Sequence, residues 1–390
     1  YGCYGLCLAG LWRKERNREW GKAAIQAVGV LLLVSGWLGW FGIYTLQDIV
    51  LKFHDPALSD SGSRLAGYLK YPNTYGALLA AFLLMQLQAW TDEGSKRWQI
   101  WASAVTVIPY GGALLLTESR GSYAALLFGL AIALLLAPAD RRLRWALAIG
   151  MTAAGSTLML MLGTYWMPTE GEPVSAIGAA AALACGGVAG ALMLAVRARM
   201  QDRSGNAGKV NVMITWAAIV AGLAAIVWLW KGTDGERLTG HLETAASRLL
   251  FYQDGWRMFL DRPWFGYGGD SWRTMLTLYQ SEPYVGNEVH SGYLAMLLDT
   301  GIIGLTLLLL MLGMGLRALW RSDKAAIAPA AVLLAHALID FDWSYAFVWL
   351  LMIAWLQAHA PSLPAPAGRA LGPGAWARLG RAGLAALLAA

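Results

Sequence analysis

Apolar residues run along this chain in stretches long enough to cross a bilayer, parted by short polar joints. The pattern predicts spans over 1–11, 23–44, 73–90, 98–117, 121–138, 145–166, 176–196, 211–230, 289–316, 326–340 and 345–358. Backbone in lipid must satisfy its own N–H and C=O groups, so each run reads as an α-helix. The stretch 376–390 begins another span or forms an amphipathic tail. The fold class expected is an all-α polytopic membrane protein of about 11–12 transmembrane helices, with one long extracytoplasmic loop bearing short amphipathic helices. Four regions follow: helices over 1–230, the loop over 231–288, helices over 289–360, and a linker or tail over 361–390. The chain starts at Tyr1 inside an apolar run and is read as a fragment.

Composition agrees with the pattern: 57% of residues are hydrophobic and 14% charged. The 20 Trp, many near span ends, suit an interfacial belt. Charge sets the orientation. The joints 11–22, 91–98, 140–144, 197–209 and 317–324 carry 17 Lys and Arg against 7 Asp and Glu. The alternate set (45–72, 118–120, 167–175, 231–288 and 339–344) carries 10 basic and 16 acidic residues. The positive-inside rule places the first set in the cytoplasm. The net charge of +6 is then a topology signal, and no nucleic-acid partner is implied. Cys3, Cys7 and Cys185 fall inside spans and read as packing residues, with no metal site and no disulfide framework.

Two outer segments exceed turns. In 45–72, Arg64 stands outside against the charge bias and calls for an anionic partner; Pro72-Asn73 reads as a helix start with Asn73 as N-cap. In 231–288, Leu249, Tyr252, Trp256 and Phe259 recur at helical spacing, so 243–260 reads as an interfacial amphipathic helix. Asp261-Arg262-Pro263 ends it, and Asp270 would cap a short helix through Tyr279. The glycines of 264–269 read as turn chemistry, with phosphate contact through their amides as the alternative.

The outer boundary also gathers chemistry. Arg120 is pinned by a tight hairpin between spans, and Arg248 lies in the loop helix. A planar guanidinium donates paired bonds to phosphate and keeps its charge, so two of them would hold a diphosphate and stabilise it as a leaving group. With no acidic metal-binding cluster nearby, the pair would replace a divalent cation; no cofactor is implied. His290, placed in the first turn of a long helix behind an Asn287 cap, would be kept neutral by the helix dipole and neighbouring Arg, as a general base requires. Glu118 and Glu288 are alternative proton acceptors. His336, Asp340 and Asp342 approach the same surface from another span, as a functional pair or as packing residues with mutual hydrogen bonds. The bland readings are snorkelling for Arg120 and headgroup contact for His290.

The strings SRGSYAALLFGL, ASRLLFYQDGWRMFLDRPWFGYGGDSW and VHSGYLAMLLDTGIIGLTLLL resemble the O-antigen ligase/polymerase family of bacterial membrane glycan transferases. RLAGYLKYPNTYGALL and HALIDFD resemble its upstream and late segments, so the resemblance covers roughly 60–345 in order. Two details depart from the pattern: Ser291 follows His290 where ligases often have Asn, and Asp299-Thr300-Gly301 stands where many members have Glu-Thr-Gly. The resemblance implies transfer of a glycan from an undecaprenyl-diphosphate carrier to a hydroxyl of a glycan, lipid or protein acceptor. It implies metal-independent, inverting chemistry on the outer face of the cytoplasmic membrane. Arg120 and Arg248 would bind the diphosphate with Arg64, His290 would activate the acceptor, and Asn73, Glu118, His336 and Asp340 would support them. The alternative is a transporter or flippase for a lipid-linked saccharide. Such proteins place charges near the midplane in broken, repeated helices, whereas here the polar residues gather at one face.

Overall fold

The computed structural model describes residues 1–360 except 45, 56–57, 60, 169–173, 202–234 and 285, with side chains undescribed at 201 and 235–247. The expected span over 211–230 and the tail 361–390 lie outside the described residues. The rest is almost wholly helical: α1 (Gly2–Leu11), α2 (Glu15–Trp40), α3 (Pro72–Thr91), α4 (Arg97–Leu116), α5 (Arg120–Leu136), α6 (Arg142–Tyr165) and α7 (Ala176–Gln201). Then follow α8 (Gly235–Asp261), α9 (Ser271–Tyr279), α10 (Gly292–Ser322), α11 (Ile327–His336) and α12 (Ala346–His359). Each expected span that falls on described residues is a helix. The protein is an all-α polytopic membrane protein. Among the described residues, α2, α4, α6, α7 and α10 are long and apolar enough to cross a membrane; α1, α5, α11 and α12 are shorter apolar helices.

The centre of the bundle is α3, buried along nearly its whole length and packed by α4, α5 and α11. Because neighbours and not lipid surround it, it tolerates polar residues that the outer helices avoid. Thr74 donates to Asp342 Oδ1 at 2.7 Å, and Gln86 donates to Gln26 at 2.7 Å. Tyr75 crosses to α2 and donates to the Leu32 carbonyl at 2.6 Å. An added Cβ at Gly36 would lie 2.3 Å from that phenol oxygen, so the small residue sets how closely α2 approaches α3.

The two sets of joints collect at opposite ends. At one, Lys96 reaches Glu19, Arg141 reaches Asp92, Arg18 reaches the Ala360 carbonyl and Gln88 the Ala325 carbonyl. At the other, Arg64 meets Thr117, Ser175 meets Phe41, and Arg248 meets Ile339. That clustering matches the alternation read from charge.

Details differ from the sequence reading. Residues 45–72 include two short antiparallel strands, β1 (Val50–Lys52) and β2 (Ser63–Leu65), with Leu51 opposite Arg64. Cys3 and Cys7 are exposed on α1 and Cys185 is half-buried, so the first two are not packed inside. On α8 the inward face is Phe251, Asp254 and Met258, whereas Leu249 and Trp256 point outward. Tyr252 and Phe259 lie between the two faces.

The long helix α10 breaks at Gly301, where φ is 65° and ψ −172°. The segment after α8 inserts there. Amides of Tyr267 and Gly268 donate to the Leu298 and Asp299 carbonyls, both at 2.9 Å, and Ile302 N–H donates to Pro263 O at 2.8 Å. The Tyr267 and Gly268 amides thus serve the helix break, as turn chemistry would have them do. A side chain at Gly301 would strike the Trp264 carbonyl at 2.3 Å. Asp270 occupies the N-cap position of α9 without capping it; Asp299 accepts from Ser271 N–H at 3.0 Å instead.

Candidate functional site

Two corners of the chain build the site in the same way. Before α5, Glu118 adopts a left-handed conformation (φ 50°) and Ser119 caps the helix by accepting from Ser122 N–H. Before α10, His290 is left-handed (φ 52°) and Ser291 caps by accepting from Leu294 N–H. His290 therefore sits just outside the helix, not in its first turn, and Asn287 is not the cap. Ser is among the preferred capping residues, so Ser291 suits this corner. Left-handed backbone costs a non-glycine residue roughly 1–2 kcal/mol. Tyr252 O–H holds His290 in it, donating to its carbonyl at 2.8 Å.

Between the corners stands Asp340, only 1% exposed, in the turn after α11. Its Oδ1 accepts from Tyr71 O–H and from Phe341 N–H, both at 2.9 Å, and its Oδ2 accepts from Asn73 Nδ2 at 2.8 Å. Arg248 Nη2 lies 3.5 Å from Oδ2, and His290 Nδ1 lies 3.6 Å from Oδ1. Burial alone would raise this carboxyl. The His290 and His336 imidazoles and the Arg248 guanidinium outweigh burial and pull it down to about 2. Burial and the neighbouring carboxylate push the Tyr71 phenol well up, so it remains a donor.

His290 is stacked on Phe251, with ring centroids 5.7 Å apart, and meets Phe341 edge-on at 5.2 Å. Its Nδ1 is buried with no hydrogen-bond partner. Phe251 is held from behind. Asp254, wholly buried, accepts from Ser281 N–H, Ser281 O–H and Tyr284 O–H, and Tyr284 packs on Phe251 at 4.5 Å. Burial would raise Asp254, but these bonds and Arg257 bring its carboxyl below the usual range.

The guanidiniums differ in commitment. Arg64 donates through Nε to Thr117 O at 2.9 Å and through Nη2 to Asn73 Oδ1 at 2.7 Å, pinning the corner that carries Arg120. Arg248 donates to Ile339 O at 3.0 Å and keeps a quarter of its side chain exposed. Arg120 is exposed, within electrostatic reach of Arg64, and pairs with no carboxylate among the described residues. Its neighbour Gly121 lies against Ile339, the residue whose carbonyl takes Arg248, so the start of α5 adjoins the turn that holds Arg248. Glu118 accepts from Ser61 N–H at 2.9 Å. Glu288 is held by Ser344 at 3.1 Å and Arg273 at 3.3 Å.

Two sequence assignments need correction. Asn73 does not cap α3; Tyr71 occupies the cap position, and the Asn73 side chain bridges Arg64 to Asp340. His336 pairs with Asp342 at 2.7 Å, not with Asp340, and its Nε2 lies 3.3 Å from Ser122 Oγ. That fully buried set ties α3, α5 and α11 together one layer beneath the site. Tyr71, Phe251 and Asp254 escaped the sequence reading, and Tyr252 entered it only as a position of the amphipathic helix. The Tyr adjoining Pro72-Asn73 and the aromatic pair beside Arg248 were their only signals. Among the described residues, no three His, Cys, Asp or Glu side chains converge as a metal site would require.

Membrane-crossing helices that gather Arg120, Arg248, His290 and a buried carboxylate at one end define a polytopic membrane protein with a polar, cationic boundary site. A model of the O-antigen ligase family matches residues 105–309, just over half the chain. The chain belongs to that family, and is thereby a membrane glycosyl-transfer enzyme of polysaccharide biosynthesis. The match takes in Glu118, Arg120, Arg248 and His290; Arg64, Asn73, His336 and Asp340 lie outside it. No curated protein and no solved structure matches the chain.

Proposed function

We propose that the enzyme moves a glycan from an undecaprenyl-diphosphate carrier to an acceptor hydroxyl, as a ligase or a polymerase, at the extracytoplasmic face of the cytoplasmic membrane. The observation that carries this reading is the approach of His290 Nδ1 to 3.6 Å from Asp340 Oδ1, at the end of the bundle where Arg120 is exposed and Arg248 partly so. Asp340 beside Nδ1 favours the tautomer with its proton there, leaving Nε2 to accept one. The acceptor O–H then gives its proton to Nε2 while its oxygen attacks the anomeric carbon. The bond from that carbon to the diphosphate breaks on the opposite side, so the configuration inverts. Arg120 and Arg248 take the charge that develops on the departing diphosphate, without a divalent ion. Arg64, Asn73 and the Glu118 corner hold this geometry, and His336 secures the layer below.

The test is transfer by purified protein in nanodiscs supplied with an undecaprenyl-diphosphate oligosaccharide, with His290→Ala alongside. Lengthened lipid-linked glycans that vanish in the variant support a polymerase; transfer only to an added core lipid or protein supports a ligase. Undiminished transfer by a folded His290→Ala protein refutes the assigned base.

A further inference from the structure

Past the end of α8 the chain holds two large aromatic side chains out into the open. Trp264 is 65% exposed and Phe265 75%, although their turn is clamped to a membrane-crossing helix. The carbonyls of Pro263 and Trp264 accept from Ile302 and Ile303 N–H at 2.8 and 3.4 Å, and the Tyr267 and Gly268 amides donate to the other side of the α10 break. Pro263 has no amide to leave unpaired. Backbone meets backbone here. A Cβ at Gly266 would lie 2.4 Å from the Leu298 carbonyl oxygen, and one at Gly301 2.3 Å from that of Trp264. The turn is therefore fixed at the level of residues 298–303 of α10.

Where that level lies in the membrane follows from α10 itself. From Gly301 the helix runs without a charge to Leu316, and Arg317 is the first cation toward the end of the bundle opposite the site. At about 1.5 Å per residue, the stretch 301–316 spans roughly 24 Å. A bilayer's hydrocarbon core is about 30 Å thick. With Arg317 at one edge of the core, Gly301 stands about 6 Å short of the other, and any tilt of α10 takes it deeper. Asp299, nearer that edge, has its carboxylate taken up by Ser271 N–H and O–H at 3.0 and 2.6 Å, so protein covers its charge. Ile302 and Ile303, level with the turn, are exposed on α10 and belong to its lipid-facing surface.

We propose that the turn 263–268 is a wedge seated in the leaflet on the site's side of the membrane, with Trp264 and Phe265 among the acyl chains. Non-helical backbone is tolerated at that depth only where protein takes up its polar groups, and the α10 break supplies such partners. Depth selects lipid as the occupant of this surface, because the turn continues the lipid-facing surface of a helix that crosses the membrane. Trp256 and Leu260 face outward earlier on α8, flanked by the exposed Arg257 and Arg262. Apolar side chains beside long cationic ones suit a lipid–water boundary. The inference stands apart from glycan transfer: its failure would leave the His290 chemistry untouched.

The experiment is electron paramagnetic resonance of the full-length protein in nanodiscs, with Cys3, Cys7 and Cys185 replaced by Ala and one spin label placed at a time. Labels go at Phe265→Cys, at Met314→Cys in the lipid-crossing part of α10, and at Glu282→Cys in the loop beyond α9, all exposed positions. Dissolved oxygen broadens a label among acyl chains, and a polar nickel chelate broadens one in water. The label at 265 should show the oxygen broadening of 314 and lose the nickel broadening seen at 282. Trp264→Cys supplies the same reading should Phe265→Cys fail to fold. Nickel broadening at the turn as strong as at 282 overturns the proposal, since the wedge then stands in water. A label shielded from both probes overturns it as well, and would assign the surface to protein, from a second copy or from another part of this chain.

Discussion

Asp340→Asn tests the site most directly, because the change keeps the shape and removes only the charge. Its neighbours pull the buried carboxyl down to about 2. That lowering stabilises the folded state by roughly 2 kcal/mol at neutral pH. Since the folded value is the lower one, the contribution is complete above about pH 4 and drains away as the pH falls toward 2. The amide also cannot satisfy its surroundings. Oδ1 faces Tyr71 O–H and Phe341 N–H, and Oδ2 faces Asn73 Nδ2 and Arg248. Whichever way the amide turns, its NH₂ meets donors, adding roughly 1–3 kcal/mol of unsatisfied polar cost. Melting of the purified variant in nanodiscs should therefore fall well below wild type at pH 7, by the same margin at pH 5. Glycan transfer should drop roughly 10²-fold, as a base loses its orienting partner. A variant that melts with wild type at pH 7, or a margin that closes between pH 7 and 5, would refute the reasoning.

Other expectations follow from particular contacts. Arg120→Lys should leave melting unchanged, since the side chain is exposed, yet weaken donor use about tenfold or more in transfer kinetics, because Lys lacks the planar fork. Asp254→Ala should cost about 3 kcal/mol by orphaning Ser281 and Tyr284, seen as faster hydrogen exchange over 280–284. Because the Asp254 carboxyl is held low, its contribution is present above about pH 4 and lost in stronger acid, so acid should loosen the same loop in wild type. Gly301→Ala should destabilise by about 3 kcal/mol, from forbidden backbone and the clash with Trp264, measured as a lower melting temperature.

The helices were legible because lipid enforces long apolar runs: the expected 98–117 became Arg97–Leu116, and 176–196 became Ala176–Gln201. The end of the bundle at which the site lies was legible from charge. Partners were not. His336 and Asp340 are four apart, the spacing of neighbours on one helix face, but α11 ends at His336 and the chain turns. Asp342 takes the histidine, and Asp340 is released to face His290 across the site. Likewise Asn73 has the side chain of a cap, and only the distant Asp340 and Arg64 reveal its use. Local pattern marks element ends; contacts across 267 residues, such as Asn73 to Asp340, come from the tertiary fold.

The interior position of α3 bears on how the protein is made. The 20-residue α3 carries polar side chains that are buried in the finished bundle. Gln86, away from the helix ends, would face hydrocarbon if α3 stood alone. Its partner Gln26 sits on α2, which is made first, while α4 and α5, synthesised next, pack most closely on α3. Asn73 at the head of α3 has Arg64 and Tyr71 beside it from the start, but Asp340 emerges only after α11. The site closes only once residue 340 has emerged, and a ribosome stalled before it would leave a membrane-inserted but unassembled transferase.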